Sequence, residues 1–160
     1  MSFLFNVGQS KSIDNFDSLR ELVEKDSFEL LLDIYSDVIG DFDSFKNNER
    51  CVDNQYIKIK VVESDWFECY LIVWKINAVS KIHDHAENGC LYKVLKGSIK
   101  EEQFSNISLN KTSEKILEEG SINYIDNQIG YHRMCNDSMD TSVSIHFYSP
   151  KNYSMNIYDY

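Results

Sequence analysis

The apolar residues of this chain change their spacing once, and the change divides it. Up to residue 40 they recur at three- and four-residue intervals; from residue 56 they alternate with polar ones. In the first region Leu19, Leu22 and Val23 follow Asp17-Ser18. That pattern predicts a helix with Ser18 at its N-cap and Glu21 closing a capping box. Ser27 is expected to cap a second helix, with a stripe of Phe28, Leu31, Leu32, Tyr35, Val38 and Ile39 and a stop at Gly40. Residues 41–55 are polar and rich in Asn and Asp, which predicts loop, or loop with a short helix.

Beyond that point the period is two. Ile57, Ile59 and Val61 alternate with Lys58 and Lys60. Further strands are expected over 66–76, over 91–99 with a break at Lys96-Gly97, and over 100–107, 122–125 and 141–148. Several short strands with turn punctuation predict an all-β sandwich or barrel. With no repeat, low-complexity tract or linker, the expectation is one domain over 1–160, a helical cover over 1–50 and a β-barrel over 51–160. The last long strand is a strict alternation: Val143, Ile145 and Phe147 share one face, Ser144, His146 and Tyr148 the other. Taken alone it reads as an amphipathic edge strand with its polar face wet. The alternative is a Ser–His–Tyr hydrogen-bond line that positions the Tyr hydroxyl, since buried polar groups must bond one another.

Composition narrows the function. With 42% hydrophobic and 26% charged residues in a chain of 160, disorder, collagen and coiled coil are excluded. A net charge of −10, from 26 acids against 16 bases, makes nucleic acid and anionic membranes poor partners. No apolar run is long enough to span a bilayer. The first residues lack the basic flank and apolar run of a signal peptide. Cys51, Cys69, Cys90 and Cys135 match no zinc-finger or redox spacing. Free thiols in a reducing cytosol, and a cytoplasmic monomer, are the expectation.

The four histidines carry the candidate chemistry. His83 and His85 form an H-x-H pair whose side chains point the same way in extended chain, and His132 can join them in a barrel. Three neutral imidazoles with open positions suit Fe(II), Zn(II), Cu or Ni. The competing reading is an H-x-H pair that arises by chance on a solvated loop. No H-x-D/E motif is present, so the two-His-one-carboxylate pattern is not supported. Such a site leaves room for an anionic substrate atom, such as a thiolate, on the metal.

Three motifs in order then resemble one family. Ile82-His83-Asp84-His85, followed by Cys90, Lys93-Val94-Leu95-Lys96-Gly97 and Glu101, resembles the first cupin motif of cysteine dioxygenase. The segment from Tyr124 to Arg133 (Tyr-Ile-Asp-Asn-Gln-Ile-Gly-Tyr-His-Arg), closed by Asn136, resembles the second. Ser144-x-His146-x-Tyr148-Ser149-Pro150 resembles the C-terminal signature, and Trp74 also fits. The match covers about residues 56–150, with helices before it. The resemblance implies a mainly β, cupin double-stranded β-helix (jelly-roll) barrel with N-terminal α-helices. It implies non-haem Fe(II) on His83, His85 and His132, and a Cys90–Tyr148 pair able to form a thioether crosslink. It implies a small thiol and O2 as reactants, both oxygen atoms passing to sulfur to give a sulfinate. Tyr148 would hydrogen-bond the oxygen or the substrate carboxylate, with His146 and Ser144 orienting it, and Ser149-Pro150 would be cis. Tyr56, Lys58, Arg133 and Met155 are assigned to the substrate.

The chain departs from that family where the carboxylate is gripped. Cysteine-specific members place an Arg two residues after a Tyr, and here Tyr56 is followed by Lys58. Lys offers a point charge in place of a bidentate fork, and as a plain strand residue it would simply face solvent. Asn77, Lys151 and Met155 also stand where relatives often carry Gly, Pro and Cys. L-cysteine is the expected substrate; another small thiol (3-mercaptopropionate or a modified cysteine) and a metal-binding cupin without turnover are the alternatives.

Overall fold

The computed structural model describes residues 13–45, 51–52 and 55–159. The start of the expected helical cover, the cited N-terminal segment and Tyr160 lie outside these residues. Four short helices come first: α1 (Phe16–Lys25), α2 (Glu29–Ile34), α3 (Ser36–Gly40) and α4 (Phe42–Phe45). The strands follow as β1 (Cys51–Val52), β2 (Tyr56–Glu63), β3 (Glu68–Trp74), β4 (Ile82–His83), β5 (Cys90–Lys96) and β6 (Ser98–Phe104). They continue as β7 (Lys111–Glu118), β8 (Ile122–Ile125), β9 (Tyr131–Cys135), β10 (Ser142–Tyr148) and β11 (Ile157–Tyr158).

The strands form two antiparallel sheets, ordered β1-β2-β3-β10-β5-β8 and β11-β4-β9-β6-β7. β10 lies between β3 and β5, far from both in sequence, which is the interleaving of a jelly roll. The hairpin from β5 to β6 passes from one sheet to the other at Gly97, where φ is +73° and a Cβ would stand 2.6 Å from Ser142 Oγ.

Alternation gives the first sheet two distinct faces. Ile57, Ile59, Leu71, Val73, Leu91, Val143, Ile145 and Phe147 point outward and pack under the helices through Leu19, Val23, Phe28 and Leu31. Tyr56, Ile72, Trp74, Tyr92, Val94 and Tyr148 point inward and meet Ile99, Leu117 and Met134 of the second sheet. The strand that reads as amphipathic is therefore buried on both faces: every residue of β10 is buried, and the strand is central rather than an edge. Its polar face looks into the barrel, not into water.

Several local expectations are corrected. Asn15, not Ser18, caps α1, its side chain accepting the backbone N–H of Ser18 at 2.9 Å. The Ser18–Glu21 capping box is thereby displaced, because Asn15 lies in extended backbone just before the first helical residue. Ser27 does not cap α2; Phe28 holds that place at φ +58°, its N–H bonded to Asp26 Oδ1 at 2.7 Å. The second helical stripe is broken at Tyr35 into α2 and α3. β7 and β9 escape the alternation reading: β7 is exposed at seven of its eight positions and β9 is only five residues long. Among the described residues no helix is long and apolar enough to cross a membrane. All four cysteines are free thiols.

One buried cation joins the helices to the barrel. Lys93 on β5 points outward, and its Nζ donates to the carbonyls of Val23 and Asp26 at 2.8 Å each. These lie at the C-terminal end of α1, where carbonyls lack helical partners and the dipole favours positive charge. Two charge-assisted bonds of roughly 1.5–3 kcal/mol each are offset in part by desolvation of the ammonium. Lys93→Met should therefore cost about 2 kcal/mol, read as a lower urea midpoint at unchanged slope. An unchanged midpoint would show that α1 docks without this bond.

Candidate metal centre

The three predicted ligands converge. His83 ends β4, His85 lies two residues on, and His132 sits on β9 directly opposite His83 in register. Their ligand atoms all lie within 4.8 Å of one another, and all three residues are buried. The backbone of His85 is clamped by one amide: Asn127 Oδ1 accepts its N–H and Asn127 Nδ2 donates to its carbonyl, both at 2.8 Å.

Hydrogen bonds choose which nitrogens face inward. His83 Nδ1 donates to the carbonyl of Lys81 at 2.8 Å, and His132 Nδ1 donates to Glu101 Oε1 at 2.8 Å. A carbonyl and a carboxylate only accept, so both rings carry their proton on Nδ1. Their Nε2 atoms then present lone pairs to each other 3.1 Å apart. Both ring nitrogens of His85 are buried with no hydrogen-bond partner among the described residues. Burial drives His83 and His85 away from the charged state; His83 is pushed down to about 3, with His132 adding to the effect. His85 shifts down for the same reasons. Facing lone pairs and an orphaned imidazole in a buried pocket are the needs that a metal cation meets. These three histidines could hold a metal.

The inward face of the first sheet forms the opposite wall. Lys58 is turned into the barrel, not into solvent; its Nζ lies 4.2 Å from the centre of the Tyr70 ring and 4.6 Å from that of Tyr148. Burial lowers its pKa, and the nearby Cys90 and Glu68 oppose that shift. A cavity of about 110 Å³ is lined by Tyr56, Lys58, His83 and Met155 among others. A narrower one of about 10 Å³, room for roughly one water, shares those residues and adds Trp74, His146 and Tyr148. Tyr56, Lys58 and Met155 are thus brought to His83.

Arg133 is not. It follows His132 on β9, so alternation sends it to the other face, where it pairs with Glu102. It lines a surface groove of about 720 Å³ whose walls include none of the three histidines. Its assignment to the substrate is corrected on that ground.

Ser144, His146 and Cys90 form a line, though its course differs from the expected one. Trp74 Nε1 donates to Ser144 Oγ at 2.8 Å, and Ser144 Oγ lies 2.8 Å from His146 Nε2. His146 Nδ1 is then 3.8 Å from Cys90 Sγ, while its ring stacks near-parallel to Tyr148 with centres 6.0 Å apart. Cys90 and Tyr148 are direct partners between β5 and β10. Burial raises the pKa of both the Cys90 thiol and the Tyr148 phenol, and lowers that of His146, so all three are held neutral. The Ser149-Pro150 bond is cis.

Asp84 was hidden from the sequence reading, although it stands between two candidate ligands. Alternation turns it away from them, where it gathers the C-terminal segment. Its Oδ1 accepts the N–H of Asn156 at 2.8 Å and the hydroxyl of Tyr153, and its Oδ2 accepts Asn156 Nδ2 at 2.6 Å. Asp84 N–H in turn donates to the Asn156 carbonyl at 3.2 Å. The clamped segment carries Met155 over the cavity and pairs Ile157 with His83. The signal that could have found Asp84 is the cluster of Tyr153, Asn156 and Tyr158 near the end of the chain.

Known proteins resemble this chain in sequence and in fold. The family model described as "Cysteine dioxygenase type I" matches residues 7–160. The chain is 29% identical over 150 residues to human "Cysteine dioxygenase type 1", covering 90% of this chain and 68% of that protein. It is 34% identical over 119 residues to the Bos taurus protein of the same name, covering 71% of this chain and 56% of that one. Among solved structures it is similar to a double-stranded beta-helix protein from Klebsiella pneumoniae, with TM-score 0.58 and 14% identity over 69% of this chain and 90% of that one. It is also similar to a sugar phosphate isomerase from a cupin superfamily of Silicibacter pomeroyi, with TM-score 0.53 and 13% identity over 67% of this chain and 68% of that one. These two likenesses show the double-stranded β-helix fold.

The Asp84 clamp makes its own prediction. Burial alone would push its carboxyl up, but the bonds from Tyr153 and Asn156 outweigh that and hold it below the ordinary range. Its folded pKa thus lies under the unfolded value of about 3.9. The clamp contributes fully above that pH and is lost as the pH falls through the lower folded value. Asp84→Ala should open the segment after Pro150 to limited proteolysis at neutral pH, where the parent chain resists. Equal resistance in both would mean that other contacts hold the segment.

Proposed function

This chain belongs to the cysteine dioxygenase type I family, and on that premise we propose that it is a thiol dioxygenase acting on L-cysteine to give cysteine sulfinate. The reading is carried by one observation: the cavity that His83 lines, next to the other two converging imidazoles, has a half-buried cation, Lys58, in its wall. A small thiol that bears a carboxylate matches both ends. The overall change, R–SH plus O2 giving R–SO2H, needs no further reductant.

Fe(II) held by His83, His85 and His132 would supply the redox chemistry toward O2. The remaining tasks fall to the chain. With no carboxylate among the ligands, the site leaves room for an anionic sulfur. The Lys58 ammonium, steadied over the Tyr70 and Tyr148 rings, pairs with the substrate carboxylate. Tyr56, with its ring 4.6 Å from that of Trp74, and Met155 fill the apolar sides and limit the substrate's size. Tyr148, neutral because it is buried, donates its hydroxyl proton in a hydrogen bond to the substrate carboxylate or to oxygen. Ser144 and His146 hold the neighbourhood of that phenol, anchored through Trp74.

The register of Cys90 against Tyr148 supports a thioether between Sγ and the phenol ring, formed with loss of the S–H and one ring C–H hydrogen to O2. Lys58 supports a second reading, a mercapto acid without an amine, because a lone ammonium grips a carboxylate with less geometric demand than an Arg fork.

Oxygen uptake by Fe(II)-loaded protein should be measured with cysteine, cysteamine, 3-mercaptopropionate and cysteine-containing peptides, with sulfinate identified by mass. Cysteine is expected to turn over fastest; faster turnover of 3-mercaptopropionate would transfer the assignment to the second reading. No uptake with any thiol would leave a metal-binding cupin without turnover. Lys58→Ala should raise KM for cysteine by roughly 10- to 100-fold, the loss of one charge-assisted bond. Cysteamine, which has no carboxylate, should be unaffected. An equal loss on both substrates would show that Lys58 serves the fold instead.

After turnover, a denaturing gel should show two bands for the parent chain and one for Cys90→Ser. A single uncrosslinked band from the parent would remove the thioether.

A further inference from the structure

One buried carboxylate inside the barrel gathers donors from five strands. Glu101 on β6 is 0% exposed. Its Oε1 accepts from His132 Nδ1 at 2.8 Å and from the Tyr92 hydroxyl at 2.5 Å. Its Oε2 accepts from Asn123 Nδ2 at 3.0 Å, Lys115 Nζ at 3.0 Å and Gln103 Nε2 at 3.3 Å. A carboxylate has about four lone-pair sites, so this one is saturated. Removal of Glu101 would leave buried donors on both sheets without a partner.

The donors are not equivalent. Tyr92, Asn123 and Gln103 are neutral. Lys115 is cationic, lies opposite Glu101 in the β6–β7 register, and belongs to the edge strand of its sheet. Its side chain is 42% exposed. A solvent-reachable charge is thus separated from a candidate metal ligand by a single carboxylate. An anionic acceptor on Nδ1–H makes the other imidazole nitrogen a stronger electron donor. A cation on the far oxygen of the same carboxylate withdraws part of that effect.

We propose that Glu101 is the positioning residue of the metal centre and that Lys115 counterbalances it, the two setting the donor strength of His132 in opposite directions. The proposal rests on the reading of His83, His85 and His132 as an iron site and is independent of which thiol is the substrate. Glu101 fixes the tautomer of His132 and enriches its Nε2. Lys115 moderates that enrichment from the rim of the barrel.

The test uses the whole chain loaded with Fe(II), as parent, Glu101→Gln, Lys115→Gln and Lys115→Arg. The Fe(III)/Fe(II) midpoint potential is read by spectroelectrochemical titration, and Fe(II) affinity by competition with a chelator. Glu101→Gln should move the potential positive and weaken Fe(II) binding by about 10- to 100-fold. Lys115→Gln should move the potential negative with affinity close to that of the parent, and Lys115→Arg should restore the parent potential. A purely structural role would not produce shifts of opposite sign. Shifts of one sign, or no shift in Lys115→Gln, overturn the proposal while the iron reading stands. Failure of the parent to bind Fe(II) overturns the iron reading itself. If Glu101→Gln does not fold, the two Lys115 variants decide alone.

Discussion

Enclosing imidazole nitrogens away from water is the constraint around which this molecule is arranged. Each buried nitrogen must find a proton donor, an acceptor or a cation. The carbonyl of Lys81 and the carboxylate of Glu101 take up the Nδ1 protons of His83 and His132. Asn127 takes up the backbone of His85, whose two ring nitrogens have no hydrogen-bond partner among the described residues. Every hydrogen bond that fixes a ring also denies it an escape, so the remaining lone pairs converge. The rest of the barrel serves that convergence by holding β4 and β9 in register and by excluding solvent from between the sheets.

The same sheet separates stability from chemistry by strand alternation alone. Its outer face is aliphatic and aromatic and takes the helices; its inner face carries Lys58, Cys90, Ser144, His146 and Tyr148. The two sets sit on the same strands, one residue apart. A shift of one residue in any of these strands would exchange them, exposing the chemistry to the helices and the core to the cavity. The requirement for both faces to be right at once explains why β10 is buried along its whole length.

Much of this was legible in the sequence, and the failures share a physical cause. The H-x-H spacing, His132 and the order of the motifs point to the site that the structure assembles. The strand period and the turn at Lys96-Gly97 locate most of the barrel. A binary pattern cannot tell wet from enclosed, so it leaves open which way Lys58 and the Ser144–His146–Tyr148 face turn. They are polar, and the fold turns them into the barrel all the same. Arg133 adjoins His132 in sequence, yet neighbours in a strand face opposite ways. Asn123 and Lys115 give no sign in one dimension, since each meets Glu101 from a different strand. The caps at Asn15 and Phe28 depend on where the first helical turn closes, which composition leaves open by a residue or two.

Asp84 lends the molecule a sense of time as well as of place. Two candidate ligands flank it in the middle of the chain, but the groups it binds, Tyr153, Asn156 and Tyr158, come some seventy positions later. During synthesis His83 and His85 leave the ribosome long before the segment that will cover them. The barrel strands up to β10 can pair while that side of the cavity still lies open to solvent. The wall that Met155 adds to the cavity is thus contributed by a segment distant in sequence from the histidine it covers.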